Sequence, residues 1–114
     1  MQIALPFPAS ILAGHAKGNG NWAKIKATKE HREWARLATL EACPNVSGEG
    51  DIRLHIRFMP ANRRGDRVNF PNRMKPYFDG IADALRVNDS RFLPSYEFCA
   101  PGGVGQVVVE VVGE

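Results

Sequence analysis

The sequence predicts an α+β fold: a small mixed sheet of about four strands with two helices, in the order β-α-β-α-β-β. Three observations carry that expectation. Between residues 51 and 59, Ile52, Leu54, Ile56 and Phe58 alternate with Arg53, His55 and Arg57, the period-two pattern of a half-buried strand. Further on, Met74, Phe78, Ile81 and Leu85 recur at helical spacing and form one apolar stripe. Near the C-terminus, VVVEVV is β-branched and nearly all apolar, as a well-covered strand requires.

The elements follow in order. Gln2 to Leu5 reads as a short strand stopped by Pro6 and Pro8. Residues 9–23, ending in GHAKGNGNW, read as a glycine- and asparagine-rich loop. Ala23 to Ala27 suggests a short extended piece, and Thr28 a helix N-cap whose hydroxyl meets the first unpaired amides. That helix should run to about Cys43, bury Trp34, Leu37, Ala38 and Ala42 on one face, and end at Pro44. NVSGEG is a turn, and the alternating strand then leads through a loop from Pro60 to Asn69. The second helix spans about Pro71 to Arg86, with Pro76 separating or kinking its first turn. Phe92 to Ala100 is the third strand, and PGGVG turns the chain into Gln106–Val112.

All 114 residues suit a single domain, since domains commonly run about 100–150 residues. Cys43 and Cys99 are too few for a disulfide framework and read as buried or free thiols of a reducing compartment. His15, His31 and His55 lack zinc-ligand spacing. The N-terminus has no basic stretch ahead of its proline-broken apolar run, so neither a signal peptide nor a membrane span is expected. The net charge is only +3, yet residues 53 to 75 carry seven cations (Arg53, Arg57, Arg63, Arg64, Arg67, Arg73, Lys75) against Asp66 alone. Such a local field suits a phosphate-rich partner; a solvated charged face is the plainer alternative.

The chemistry gathers around the second helix. Lys75, Asp79 and Asp83 stand four apart and share a polar stripe, for which an ordinary helix-surface ion ladder suffices. Asp66 and Asp89 lie in loops, where helix pairing cannot account for them, although Asn88-Asp89-Ser90 also reads as a simple turn. Carboxylate and amide oxygens beside a basic cluster are the donors magnesium takes, and a divalent ion there supports phosphodiester hydrolysis.

The stretch RRGDRVNFPNRMKPYFDGIADALRVNDSRF resembles the core of the RusA family of Holliday-junction resolvases, particularly its phage and prophage members, and LPFPAS is similar to that family's opening. The resemblance runs from about residue 2 to 97 in matching order. It implies a magnesium-dependent endonuclease, with manganese as a substitute ion and no small-molecule cofactor. The enzyme would resolve four-way DNA junctions as a homodimer in the cytoplasm of a bacterial or phage-infected cell. It further implies that Asp66, Asp89 and Lys75 are catalytic and that Asp66, Asp89, Asn69 and Asp79 hold the metal. Arg63, Arg64, Arg67, Arg73 and Arg57, extended by Arg53, would bind nucleic acid, while Lys17, Lys24 and Lys26 would close over the junction from beside the GNGN loop. Trp22 reads as a partly buried loop anchor or as a platform for an unpaired base. Two departures stand out: Asn88 replaces the first member of an acidic pair, and Val68 replaces the second loop aspartate. Valine cannot bind a metal, so a protein that binds junctions without cutting them is the alternative. A basic α+β protein contacting RNA or an acidic protein is the remaining one.

Overall fold

The structure, a computed structural model, describes residues 1–13, 20–42, 46 and 48–112. His15, Lys17, Cys43 and the expected helix stop at Pro44 lie outside the described residues. The elements are β1 (Gln2–Pro6), α1 (Gly20–Ala42), β2 (Ile52–Met59), α2 (Lys75–Leu85), β3 (Phe92–Phe98) and β4 (Gln106–Val112), the expected order. Short 3-10 turns fill Ser10–Leu12, Arg67–Asn69, Pro71–Arg73 and Asp89–Arg91. The four strands form one mixed sheet in the order β1-β4-β2-β3. Pairing is antiparallel across β1/β4 and β4/β2 and parallel across β2/β3, with α2 as the parallel crossover.

Alternation in β2 decides the layers. Ile52, Leu54, Ile56 and Phe58 join Ile3, Leu5, Val107, Val109 and Val111 on one face, under Ala35 of α1 and Met74, Tyr77 and Ile81 of α2. Placed second in the sheet order, β4 is flanked on both sides, which is why it tolerates so apolar a sequence. The opposite face of the sheet presents Arg53, His55 and Arg57 beside Leu93, Ser95 and Glu97. Among the described residues no helix is long and apolar enough to cross a membrane.

The first helix departs from expectation. It begins at Gly20, so the extended piece at Ala23–Ala27 is helix and Thr28 is not a cap. The Thr28 hydroxyl instead donates to Lys24 O at 2.7 Å, an ordinary back-bond within a helix. Gly20 and Asn21 read locally as breakers, but the strong helix formers that follow carry the helix back through them. Its buried side agrees only in part: Ala38 and Ala42 pack against the core as expected and His31, Ala35 and Thr39 also face inward, whereas Trp34 and Leu37 are exposed.

The cause is Gly80. A Cβ built there would stand 2.1 Å from Arg32 O and 2.9 Å from the Ala35 Cβ, so α2 approaches the α1 backbone directly. Only a small-residue face permits that approach, and bulky Trp34 and Leu37 are turned outward. Around this contact His31 is fixed by Ala27 O, 2.7 Å from Nδ1, and by Ala9 N–H, which donates to Nε2 at 3.1 Å. Burial holds the imidazole below its ordinary pKa. Tyr77, absent from the predicted stripe yet fully buried, donates its hydroxyl to Pro6 O at 2.7 Å. In α2, Pro76 falls within the first turn and Pro71–Arg73 forms a separate 3-10 turn, as the sequence suggests.

Candidate functional site

The basic loop is built from short side-chain caps. Asn62 Oδ1 accepts from Arg64 N–H at 2.9 Å, and Gly65 takes φ 94°, a left-handed conformation that suits glycine. Asp66 then caps the next turn, its Oδ1 accepting from Val68 N–H at 3.2 Å. These contacts hold Arg63, Arg64 and Arg67 outward, around a shallow cleft lined also by Pro60, Asn62, Gly65, Phe70 and Pro101. Among the described residues none of these three arginines makes an ion pair, Asp66 notwithstanding. The aspartate is spent on the backbone and the guanidinium groups stay available.

Arg73 behaves differently. Its Nη1 donates to Pro8 O at 3.2 Å, and its guanidinium lies 5.0 Å from the Phe70 ring centre and 5.7 Å from that of Phe7. Burial lowers its pKa, and its Nε is buried without a partner. This half-buried side chain ties the N-terminal segment to the loop.

At α2, three of the anticipated residues do meet. Lys75 Nζ lies 3.0 Å from Asp79 Oδ1 and in close contact with Asp89 Oδ2. The hydrogen bond to Asp89, then that to Asp79, raises the Lys75 pKa, and the same ammonium holds the Asp89 carboxyl below its usual range. Although Asp89 follows the helix, Arg86 at φ 58° ends α2 in a left-handed cap. Asn88 then caps the Asp89–Arg91 turn through Ser90 N–H at 2.9 Å, and Asp89 comes to lie against the side chain that begins α2.

Asp83 belongs elsewhere. It takes a two-pronged contact from Arg32 of α1, at 2.7 Å and 2.9 Å, which ties the helices together and holds its carboxyl below the usual range. The ladder expected along α2 therefore stops at Asp79, and Asp83 is paired with the other helix and not along its own.

Among the described residues, no group of three His, Cys, Asp or Glu side chains is gathered for a metal ion. Asp66 and Asn69 contact each other, Asn69 Nδ2 standing 3.5 Å from Asp66 Oδ2, but neither touches the Lys75–Asp79–Asp89 cluster. The proposed four-residue ligand set is thus split into two pairs. The second pair offers two carboxylate donors of the kind a hard cation takes, but the Lys75 ammonium lies against both of them, so a metal ion there would have to displace it.

Sequence reasoning missed one further constellation. On the open sheet face His55 Nδ1 lies 2.8 Å from Ser95 Oγ, and Nε2 lies 2.9 Å from Glu97 Oε1. The hydrogen bond to His55, with a smaller contribution from Arg57, keeps Glu97 below its usual range. Alternation placed His55 on this face; the parallel register that brings Ser95 beside it was the missing information. Lys24 and Lys26 sit on the first turns of α1 and not beside a loop, Lys24 half-buried and Lys26 exposed. Trp22 is 77% exposed on the same helix, which overturns its reading as a buried anchor.

No protein-family profile matches the chain. One curated sequence, an uncharacterized protein of Xylella fastidiosa (strain Temecula1 / ATCC 700964), is 37% identical over 120 aligned positions, covering 97% of this chain and 75% of that protein. At that identity and coverage, the chain belongs to the same family as the Xylella fastidiosa protein.

Proposed function

We propose that this chain is a divalent-metal-dependent endonuclease that binds four-way DNA junctions and hydrolyses phosphodiester bonds in them. The observation that supports it most is the Lys75–Asp79–Asp89 cluster, in a chain that also carries a loop whose three arginines make no ion pair among the described residues. Arg63, Arg64 and Arg67 would take phosphate oxygens through paired N–H groups, and Arg57 and Arg53 would extend that surface across the open sheet face. Asp79 and Asp89 would hold magnesium or manganese. A bound divalent ion supplies water activation and neutralises charge on the scissile phosphate. Lys75, whose ammonium is stabilised by both aspartates, can donate hydrogen bonds to a phosphate oxygen in the same place. Asp66 and Asn69 would join this site only through a loop movement or from a second subunit. A two-fold pair would set two sites at one fixed spacing, as paired nicks in a symmetric junction require.

A second reading, junction binding without cleavage, is favoured by one observation. Val68, where the resemblance expects an aspartate, is 76% exposed at the loop tip and offers no oxygen donor. Incubating the protein with a labelled four-way junction, with and without magnesium or manganese, separates the readings. Metal-dependent nicking supports the first. Retarded but intact junction across a full manganese titration supports the second, and the absence of both removes DNA from the account.

A further inference from the structure

We propose that Lys75 is the resident counter-ion of the Asp79–Asp89 pair, and that its ammonium and a divalent ion occupy this pair in turn. Lys75 then gates the metal, and a substrate phosphate that draws the ammonium away opens the pair. The inference rests on the metal-dependent reading above and adds an order of assembly to it.

The geometry offers a place for one cation. Asp79 lies in the second turn of α2 and Asp89 in the short turn beyond its C-terminal end, yet a single nitrogen meets both. Lys75 Nζ stands 3.0 Å from Asp79 Oδ1 and against Asp89 Oδ2. Two carboxylates that share one ammonium stand close enough to repel, and the positive charge between them removes that repulsion. Among the described residues no other cation pairs with either of them, and Arg32 is committed to Asp83. A divalent ion needs the same two oxygens, so it and the ammonium exclude each other.

Of the three side chains, Lys75 is the one able to leave. It is 67% exposed, against 24% for Asp79 and 32% for Asp89. It also opens α2, at the end where the helix dipole favours an anion over a cation, and Met74 before it supplies no side-chain cap. A phosphate arriving there meets the ammonium and the helix end together. The carboxylates that Lys75 leaves behind then lack a counter-charge until a divalent ion takes them. Metal and DNA therefore favour each other's binding, and linkage makes the gain mutual.

Manganese binding in the absence of DNA tests the gate without a cleavage assay. Titrated into the full chain and followed by loss of the free ion's paramagnetic resonance signal, manganese should bind Lys75→Met at least about 10-fold more tightly than wild type. Lys75→Arg, which keeps the charge, should bind as weakly as wild type, and adding Asp89→Asn to Lys75→Met should abolish the gain. Nitrogen-15 NMR of the Lys75 ammonium reads the same exchange in wild type, where no variant has to fold. Its carboxylate-held signal should be lost as magnesium saturates, and again when junction DNA is added in chelator. Equal manganese affinity in wild type and Lys75→Met overturns the proposal and leaves the metal-dependent reading standing. So does an ammonium signal unmoved by saturating magnesium or by junction DNA. No manganese bound by either protein overturns both.

Discussion

The arginine loop and the α1–α2 contact are both rich in arginine and aspartate, and they use these residues in opposite ways. In the loop, Asp66 caps the backbone while Arg63, Arg64 and Arg67 face solvent without ion pairs among the described residues. Between the helices, Arg32 clasps Asp83 in a two-pronged contact. Charge left unpaired on an exposed loop does little for the fold and remains available to a ligand. Charge paired across a helix contact fixes orientation. If this contrast holds, substitutions in the two regions should separate stability from DNA binding.

The largest expected effect falls on the helix contact itself. Gly80→Ala would force its methyl into Arg32 O, backbone that cannot move aside without parting the helices. We expect a loss of about 3 kcal/mol or more, read as a lower urea midpoint, with α-helical dichroism reduced or the protein insoluble. Next in size, replacing Arg63, Arg64 and Arg67 with alanine should leave the urea midpoint within about 0.5 kcal/mol of wild type. The same variant should lose most of its junction affinity, and each lost phosphate contact should flatten the log–log salt dependence by about 0.9 on duplex DNA. A loop variant that unfolds, or one that binds as before, breaks the comparison.

Much of this was legible in the sequence. The element order and the layer assignment of β2 follow from periodicity, because a period of two or of 3.6 survives without tertiary information. The α1 boundary was not legible, since Gly20 and Asn21 are local breakers and only the completed helix shows them recruited. The buried side of α1 was legible only in part, through Ala38 and Ala42. Hydrophobicity favours Trp34 and Leu37, but at the close approach of Gly80 the α1 backbone and Ala35 meet α2 directly, which turns those two bulky side chains outward. Within the candidate site, Lys75 with Asp79 was readable from i,i+4 spacing. Asp89 returning to Lys75, Arg32 reaching Asp83 and His55 meeting Ser95 all join residues at least 14 positions apart, and no local pattern encodes them.

Two smaller effects sharpen the account. His31 has a folded pKa below its ordinary 6.5 because it is buried. The unfolded chain therefore takes up a proton that the folded one resists, and stability falls as pH drops through about 6.5 toward the lower folded value. Thermal midpoints measured across that range should show the decline, and His31→Gln should flatten it. Smallest is the exposed clasp: Arg32→Ala should cost about 0.5–1 kcal/mol, less at high salt, and should leave junction affinity unchanged. Should Arg32→Ala weaken DNA binding as strongly as the loop substitutions, the division between the two regions fails.

The central claim is that Asp89 and its neighbours cut DNA with the help of a divalent ion, and single-turnover cleavage of a four-way junction by wild type and Asp89→Asn tests it most directly. Wild type should nick the junction in manganese or magnesium and stop in chelator, while Asp89→Asn binds as tightly or more tightly and does not cut. Equal cutting by the two proteins, or cutting that persists in chelator, would contradict the account.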